Sequence, residues 1–148
     1  MMKKENIQVG FELQGIKTEQ YAVFEEHYSS KKETQLSTDI QFKIDQQNRQ
    51  IGVFIGFEFK QGKKVFLKIL VSCHFKIEEN SWITFLQSQH KVVVPKGFLA
   101  HLAMITTGTA RGVLFAKTES TTFSKFMVPT LNVVEMITED ASFDLVAE

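Results

Sequence analysis

Hydrophobic and polar residues alternate through much of the first half of the chain. In LSTDIQFKID, Leu36, Ile40, Phe42 and Ile44 share one parity and mainly polar residues take the other. In IGVFIGFEFK, Ile51, Val53, Ile55, Phe57 and Phe59 share a parity, while Gly52, Phe54, Gly56, Glu58 and Lys60 hold the opposite one. In VFLKILVSCHFKIEE, Val65, Leu67, Ile69, Val71, Cys73, Phe75 and Ile77 keep strict register. A period of two is that of half-buried β-strands. The separators DQQNRQ (45–50) and KQGKK (60–64) are short and polar, as hairpin connections are. Three strands joined so tightly form an antiparallel meander. Upstream, Val9, Phe11 and Leu13 agree in parity, Ile16 breaks it, and Phe24 falls out of phase with Tyr21 and Val23. The pattern predicts one long first strand with a bulge or bend between Gly15 and Gln20.

The last third changes period. SWITFLQSQH (81–90) carries Trp82, Ile83, Phe85 and Leu86 in neither clean rhythm and reads as a crossover loop or a short helix. Pro95 reads as a first-turn proline. After it, Phe98, Leu99, Leu102, Ile105, Thr109, Val113 and Ala116 recur at mostly three- and four-residue steps, which predicts a long helix. Thr106, Thr107, Thr109, Gly108 and Gly112 lower its intrinsic propensity, so packing has to hold it. Gly108 and Gly112, with Ala100 and Ala103 upstream, would let a second backbone approach closely. That backbone is either the protein's own sheet or a helix across an oligomer interface. The fold class is α+β: a four-stranded antiparallel sheet with a long helix packed on one side. A single domain is expected over 1–148, with its core at about 7–137 and an acidic tail at 138–148.

Composition narrows the function more by exclusion than by indication. The 148 residues carry 17 basic and 17 acidic side chains, and this zero net charge disfavours binding nucleic acid through its phosphates. The single cysteine, Cys73, cannot form an internal disulfide and fits a reducing compartment. No apolar run of signal-peptide kind follows the opening MMKKENIQVG. The longest apolar stretches read as too interrupted to span a bilayer. A cytoplasmic protein without membrane insertion is the expectation. The unusual number is 14 Phe against 2 Tyr and 1 Trp.

No catalytic or metal motif stands out. His27, His74, His90 and His101 lack metal-ligand spacing, and no phosphate loop, nucleophile elbow or dinucleotide fingerprint is present. Cys73 shares parity with core residues and reads as a buried, inert thiol. No cofactor, no metal and no enzyme activity are expected. What remains is apolar excess: Phe54, Phe66 and Leu70 fall on the parity opposite the main core face. They form either a second buried layer or a groove for apolar ligands.

PKGFLAHLAMITTGTARGVLFAKT followed by MVPTLNVVEM resembles the long helix of the SecB-type export chaperones and the segment after it. Ile105, Thr106, Thr107, Arg111 and Gly112 match the phrase that ends the family's helix, and Pro129, Leu131, Asn132 and Val133 match the next segment. Ile16, Thr18, Phe24 and Glu25 are similar to the first-strand phrase. The resemblance covers about residues 7–137 by order of elements. It implies an ATP-independent chaperone that holds unfolded or precursor polypeptides in apolar grooves and hands them to SecA. It also implies a homo-oligomer, a dimer or dimer of dimers, assembled partly through the helix. Trp82, Phe85, Leu86, Phe42, Phe54 and Phe98 are the candidate peptide-binding residues. Ala103, Thr107, Gly108, Arg111 and Gly112 are the candidate oligomer contacts. The family docks on SecA through acidic residues of its sheet, and those positions fall here on Gln20, Glu25 and Lys68. Two of the three are not acidic, so a dedicated partner, as for an antitoxin-type chaperone or adaptor, is the second reading. An apolar small-ligand binder is the third.

Overall fold

The computed structural model describes residues 8–146; the opening heptapeptide and the last two residues lie outside it. Four long strands, β1 (Phe11–Val23), β2 (Gln35–Asp45), β3 (Gln50–Gln61) and β4 (Lys64–Ile77), form one antiparallel sheet in the order β1-β4-β3-β2. β2, β3 and β4 are the expected meander, and β1 closes on the far side of β4. A 3₁₀ turn at Glu25–His27 follows β1. The crossover contains α1 (Glu79–Phe85), β5 (Leu86–Ser88) and β6 (Lys91–Val94). The long helix α2 (Lys96–Thr118), a one-turn helix α3 (Val133–Met136) and β7 (Ala141–Asp144) complete the chain. The protein is α+β, with its long helix on one face of the four-stranded sheet.

β1 is bent where the parity broke. Its register on β4 slips between Leu13 and Gly15, and again between Thr18 and Gln20. Each slip inserts a residue and reverses the alternation. Phe11, Leu13, Ile16, Thr18, Tyr21 and Val23 therefore all pair with core-facing residues of β4. In β3 and β4, Ile51, Val53, Ile55, Phe57, Leu67, Ile69, Val71, Cys73, Phe75 and Ile77 are fully buried. Burying each large side chain of this set contributes about 1.5–3 kcal/mol.

One bulge overturns a sequence expectation. Lys60 pairs with Val65 and Phe59 with Leu67, so Phe66 is the extra residue of β4. The bulge moves Phe66 from the outer face into the core. There it is fully buried against Tyr28, Phe59, Phe123 and Phe126, with ring centroids 4.9–6.5 Å away. Val65, expected in the core register, is only half-buried.

α2 buries Leu99, Ala100, Leu102, Ala103, Thr106, Thr107, Ala110 and Leu114 and packs on β3 and β4. Its threonines are tolerated because Thr106, Thr107, Thr109 and Thr118 each donate a hydroxyl hydrogen bond to the carbonyl four residues back, at 2.7–2.9 Å. Pro95 stands just before the helix rather than in its first turn. The Lys96 N–H is satisfied by Asp140 Oδ1 at 2.8 Å.

Two segments differ from expectation. The stretch 81–90 is neither loop nor helix throughout: α1 buries Ser81, Trp82 and Phe85, and the chain then turns into β5. The acidic end is not a tail, because β7 pairs with β6 and closes a second, three-stranded sheet in the order β5-β6-β7. Alternation of Ala141, Phe143 and Leu145 toward the core underlies that pairing.

Candidate functional site

The six peptide-binding candidates do not line one groove. Trp82 and Phe85 are buried in the core, because α1 presents them inward. Phe98 packs on Phe11 at 5.5 Å and on Phe85 at 5.7 Å. Phe42 pairs with Val53 and is half-buried on the helix side of the sheet. Phe54 pairs with Ser72 on the opposite face, under the Lys43 ammonium at 4.5 Å, and cannot share a site with the others. Leu86 alone is exposed. The aromatic residues singled out by type serve mainly as core.

The exposed apolar surface lies around α2. His101, Met104, Gly108, Gly112 and Phe115 follow one another at three- and four-residue steps, and all are exposed. A surface helix ordinarily carries charge on that stripe; this one has none. A Cβ added at Gly108 or Gly112 would meet nothing within 4 Å. Of the five assembly candidates, Gly108 and Gly112 lie on this stripe. Ala103 and Thr107 face the sheet and are buried, so they are core residues of the protomer. Arg111 is half-buried and donates from Nε to the Val128 carbonyl and from Nη2 to the Pro129 carbonyl, each at 3.0 Å.

Arg111 thereby ties the returning segment to α2. Arg111→Ala is expected to lower stability by about 1–3 kcal/mol, since two main-chain acceptors lose a charged donor. Lysine should not restore it, because it lacks the planar fork. Denaturant midpoints of the three proteins check this.

β1 runs beside this stripe. Phe11 meets His101 at 5.6 Å near one end of α2, and Lys117 stands over the Tyr21 ring at 5.2 Å near the other. Between these contacts Leu13 (39%), Ile16 (53%) and Met104 (55%) remain exposed, although Leu13 and Ile16 face the helix side. β1 is also an edge strand, with one row of main-chain groups unpaired by the sheet. Leu13, Ile16, Met104 and Phe115 escaped the sequence reading. The signal for them is the charge-free stripe combined with the parity break in β1.

The outer face of the sheet is polar and mixed in charge. Gln20 lies beside Leu70, and Lys68 pairs with Glu58 at 3.5 Å. Glu25 is in the 3₁₀ turn beyond β1, off the sheet. Gln20, Asp39, Gly56, Glu58, Lys68 and Leu70 line a depression of about 290 Å³. Nearby, Ser72 Oγ lies 2.8 Å from Glu19 Oε1 and 2.9 Å from His74 Nε2. This is not a nucleophile arrangement: Ser72 is fully buried, and the carboxylate meets the serine rather than the imidazole Nδ1.

Burial pushes the Tyr21 phenol up, and hydrogen bonds from Asn48 hold the Asp45 carboxyl below the usual carboxylate range. Both effects belong to packing and turn geometry. Among the described residues no cluster of three or more His, Cys, Asp or Glu is placed to hold a metal ion. By length and composition α2 is apolar enough to cross a bilayer, contrary to the sequence reading, but its core-facing residues pack on the sheet.

No family model and no curated protein matches the chain. Among solved structures it is similar to the Mycobacterium tuberculosis SecB-like chaperone Rv1957, in complex with a ChAD peptide from the HigA1 antitoxin. The identity is 10%, the match covers 82% of this chain and 91% of that one, and the TM-score is 0.44.

Proposed function

We propose that this protein is an ATP-independent, SecB-like holding chaperone of the cytoplasm that binds unfolded polypeptides as a homo-oligomer. The observation that carries the reading is the exposed apolar surface around α2. Ile83 and Leu86 precede the helix, Met104 and Phe115 lie on it, and Met127, Val134 and Met136 follow it; all seven are exposed. This accumulation of exposed apolar side chains before, along and after one helix supports a polypeptide-binding role. Methionine adapts to varied partners, and burial of any apolar segment is favourable, so selectivity is low. Self-assembly over the bare β1/α2 stripe leaves the crossover and the returning segment for clients.

The test is suppression of aggregation of a denatured globular protein on dilution. The wild-type chain is expected to suppress it near stoichiometric ratio. Leu86→Asp with Val134→Asp, both at exposed positions, should require about ten times more protein, the loss of roughly 1.4 kcal/mol of binding. No suppression by the wild type removes the reading.

The second reading, a dedicated partner in place of SecA, is favoured by the outer face. The Glu58–Lys68 pair, Lys43 over Phe54 and the Lys17–Glu19 pair at 3.9 Å leave it balanced rather than acidic. Immobilised protein is expected not to retain SecA, and retention would restore the export role.

A further inference from the structure

The edge of β6 is occupied by β7, the last strand of the described residues. β7 makes four residue pairs with β6, Lys91–Asp144 through Val94–Ala141. Val92 and Val94 on β6 are fully buried, whereas every residue from Ala141 to Val146 is half-buried or exposed. One further main-chain bond, from the Leu145 N–H to the His90 carbonyl at 2.6 Å, extends the pairing. Removing β7 would therefore uncover a formed strand edge at the cost of no fully buried side chain, only the three half-buried ones, Ala141, Phe143 and Leu145, that pack on the core. Beyond its end, Ile44, Asp45, Gln46 and Gln47 face Asp144, Leu145 and Val146 across a cleft of about 520 Å³. The edge and the cleft together make a continuous track for an extended chain.

We propose that this track is a docking edge for an extended client segment, and that residues 141–146 occupy it in cis as a competing strap. The proposal rests on the chaperone reading. The strap states the chemistry of the partner: an extended stretch with a small or apolar side chain at every second position, as Ala141, Phe143 and Leu145 present, and polar residues between. Strand addition of this kind draws affinity from main-chain hydrogen bonds and leaves side-chain selectivity loose. A client binds only molecules whose strap has opened, so its apparent affinity is reduced by the open fraction.

Two variants test this with a permanently unfolded, carboxymethylated globular protein as probe, read by fluorescence anisotropy. Truncation after Asp140 removes β7 and keeps the Asp140 contact to Lys96. It is expected to tighten client binding about ten-fold, and added peptide ASFDLV should compete. In the untruncated chain, Val93→Cys with Ser142→Cys places thiols at a directly opposed pair whose side chains lie away from the core. Oxidation should weaken client binding at least ten-fold, and reduction should restore it. If the wild type binds client but oxidised and reduced forms bind equally, or the folded truncated chain binds no tighter, the strap proposal falls and the chaperone reading stands. If no form binds client, the chaperone reading falls and takes the strap with it.

Discussion

Gly108→Arg is expected to leave the chain folded and to convert the proposed assembly into monomers. Within one protomer the substitution is harmless, because nothing lies within 4 Å of the new Cβ and the position faces outward. The helix itself gains, since arginine is better by roughly 0.5–0.8 kcal/mol than glycine in a helix interior. Across an interface the effect reverses. A side chain driven into a close-packed seam costs about 1–3 kcal/mol, and a two-fold interface meets the change twice. The sum, about 2–6 kcal/mol, raises the dissociation constant between roughly thirty-fold and twenty-thousand-fold. Light scattering over a concentration series should show the mass fall to that of one chain, with circular dichroism and thermal midpoint held. An unchanged mass for Gly108→Arg would move the interface off this stripe.

The stripe shows where sequence reasoning reaches and where it stops. Small residues at Gly108 and Gly112 are visible as spacing, and the structure leaves both exposed. Ala103 and Thr107 look equivalent as letters, but they lie on the buried side of the same helix. Periodicity assigns an element; it does not say which part of its circumference a neighbour covers. β2, β3, β4 and α2 were legible because each repeats its pattern for about ten residues or more, and β1 was legible as a bent strand because its parity breaks where the bulges fall. α1 was legible only as one of two alternatives, loop or short helix, because seven helical residues run directly into a strand and blur both periods. β7 was missed for a different reason. Its partner β6 lies about fifty residues upstream, and four alternating residues beside acidic ones resemble a solvated end. Non-local pairing of so short a strand has no local signature. Trp82 and Phe85 show the same limit: aromatic type marked them, the structure buries both, and type alone does not separate an adhesive surface from a core.

The sharpest test of the fold compares Phe66→Ala with Phe54→Ala. The two residues share a parity in their strands, and alternation alone sets both on the outer face. The bulge opposite Lys60 separates them. Phe66 enters an aromatic cluster with Tyr28, Phe123 and Phe126 that seals the end of the sheet, and Phe24 N–H bonds its carbonyl at 2.8 Å. Phe54 stays half-exposed beneath Lys43, against the edge of the His74 ring. Truncating a fully buried phenylalanine removes its transfer free energy and leaves a cavity, about 3–5 kcal/mol in all. That is a large share of the roughly 5–15 kcal/mol by which domains are stable. Loss of Phe54 forfeits about 0.5–1 kcal/mol of exposed cation–π contact and little core packing. Phe66→Ala should therefore lower the denaturant midpoint severely, with an unchanged slope if the transition stays two-state. Phe54→Ala should barely move it. Equal effects would mean that β4 runs in simple alternation through Phe66, and the register of the hairpin would have to be redrawn. Because Val65 would then return to the core, Val65→Asp distinguishes the two registers. With the bulge Val65 lies opposite Lys60, half-buried, and the charge costs little; without it, an unpaired carboxylate would be buried and the chain would unfold.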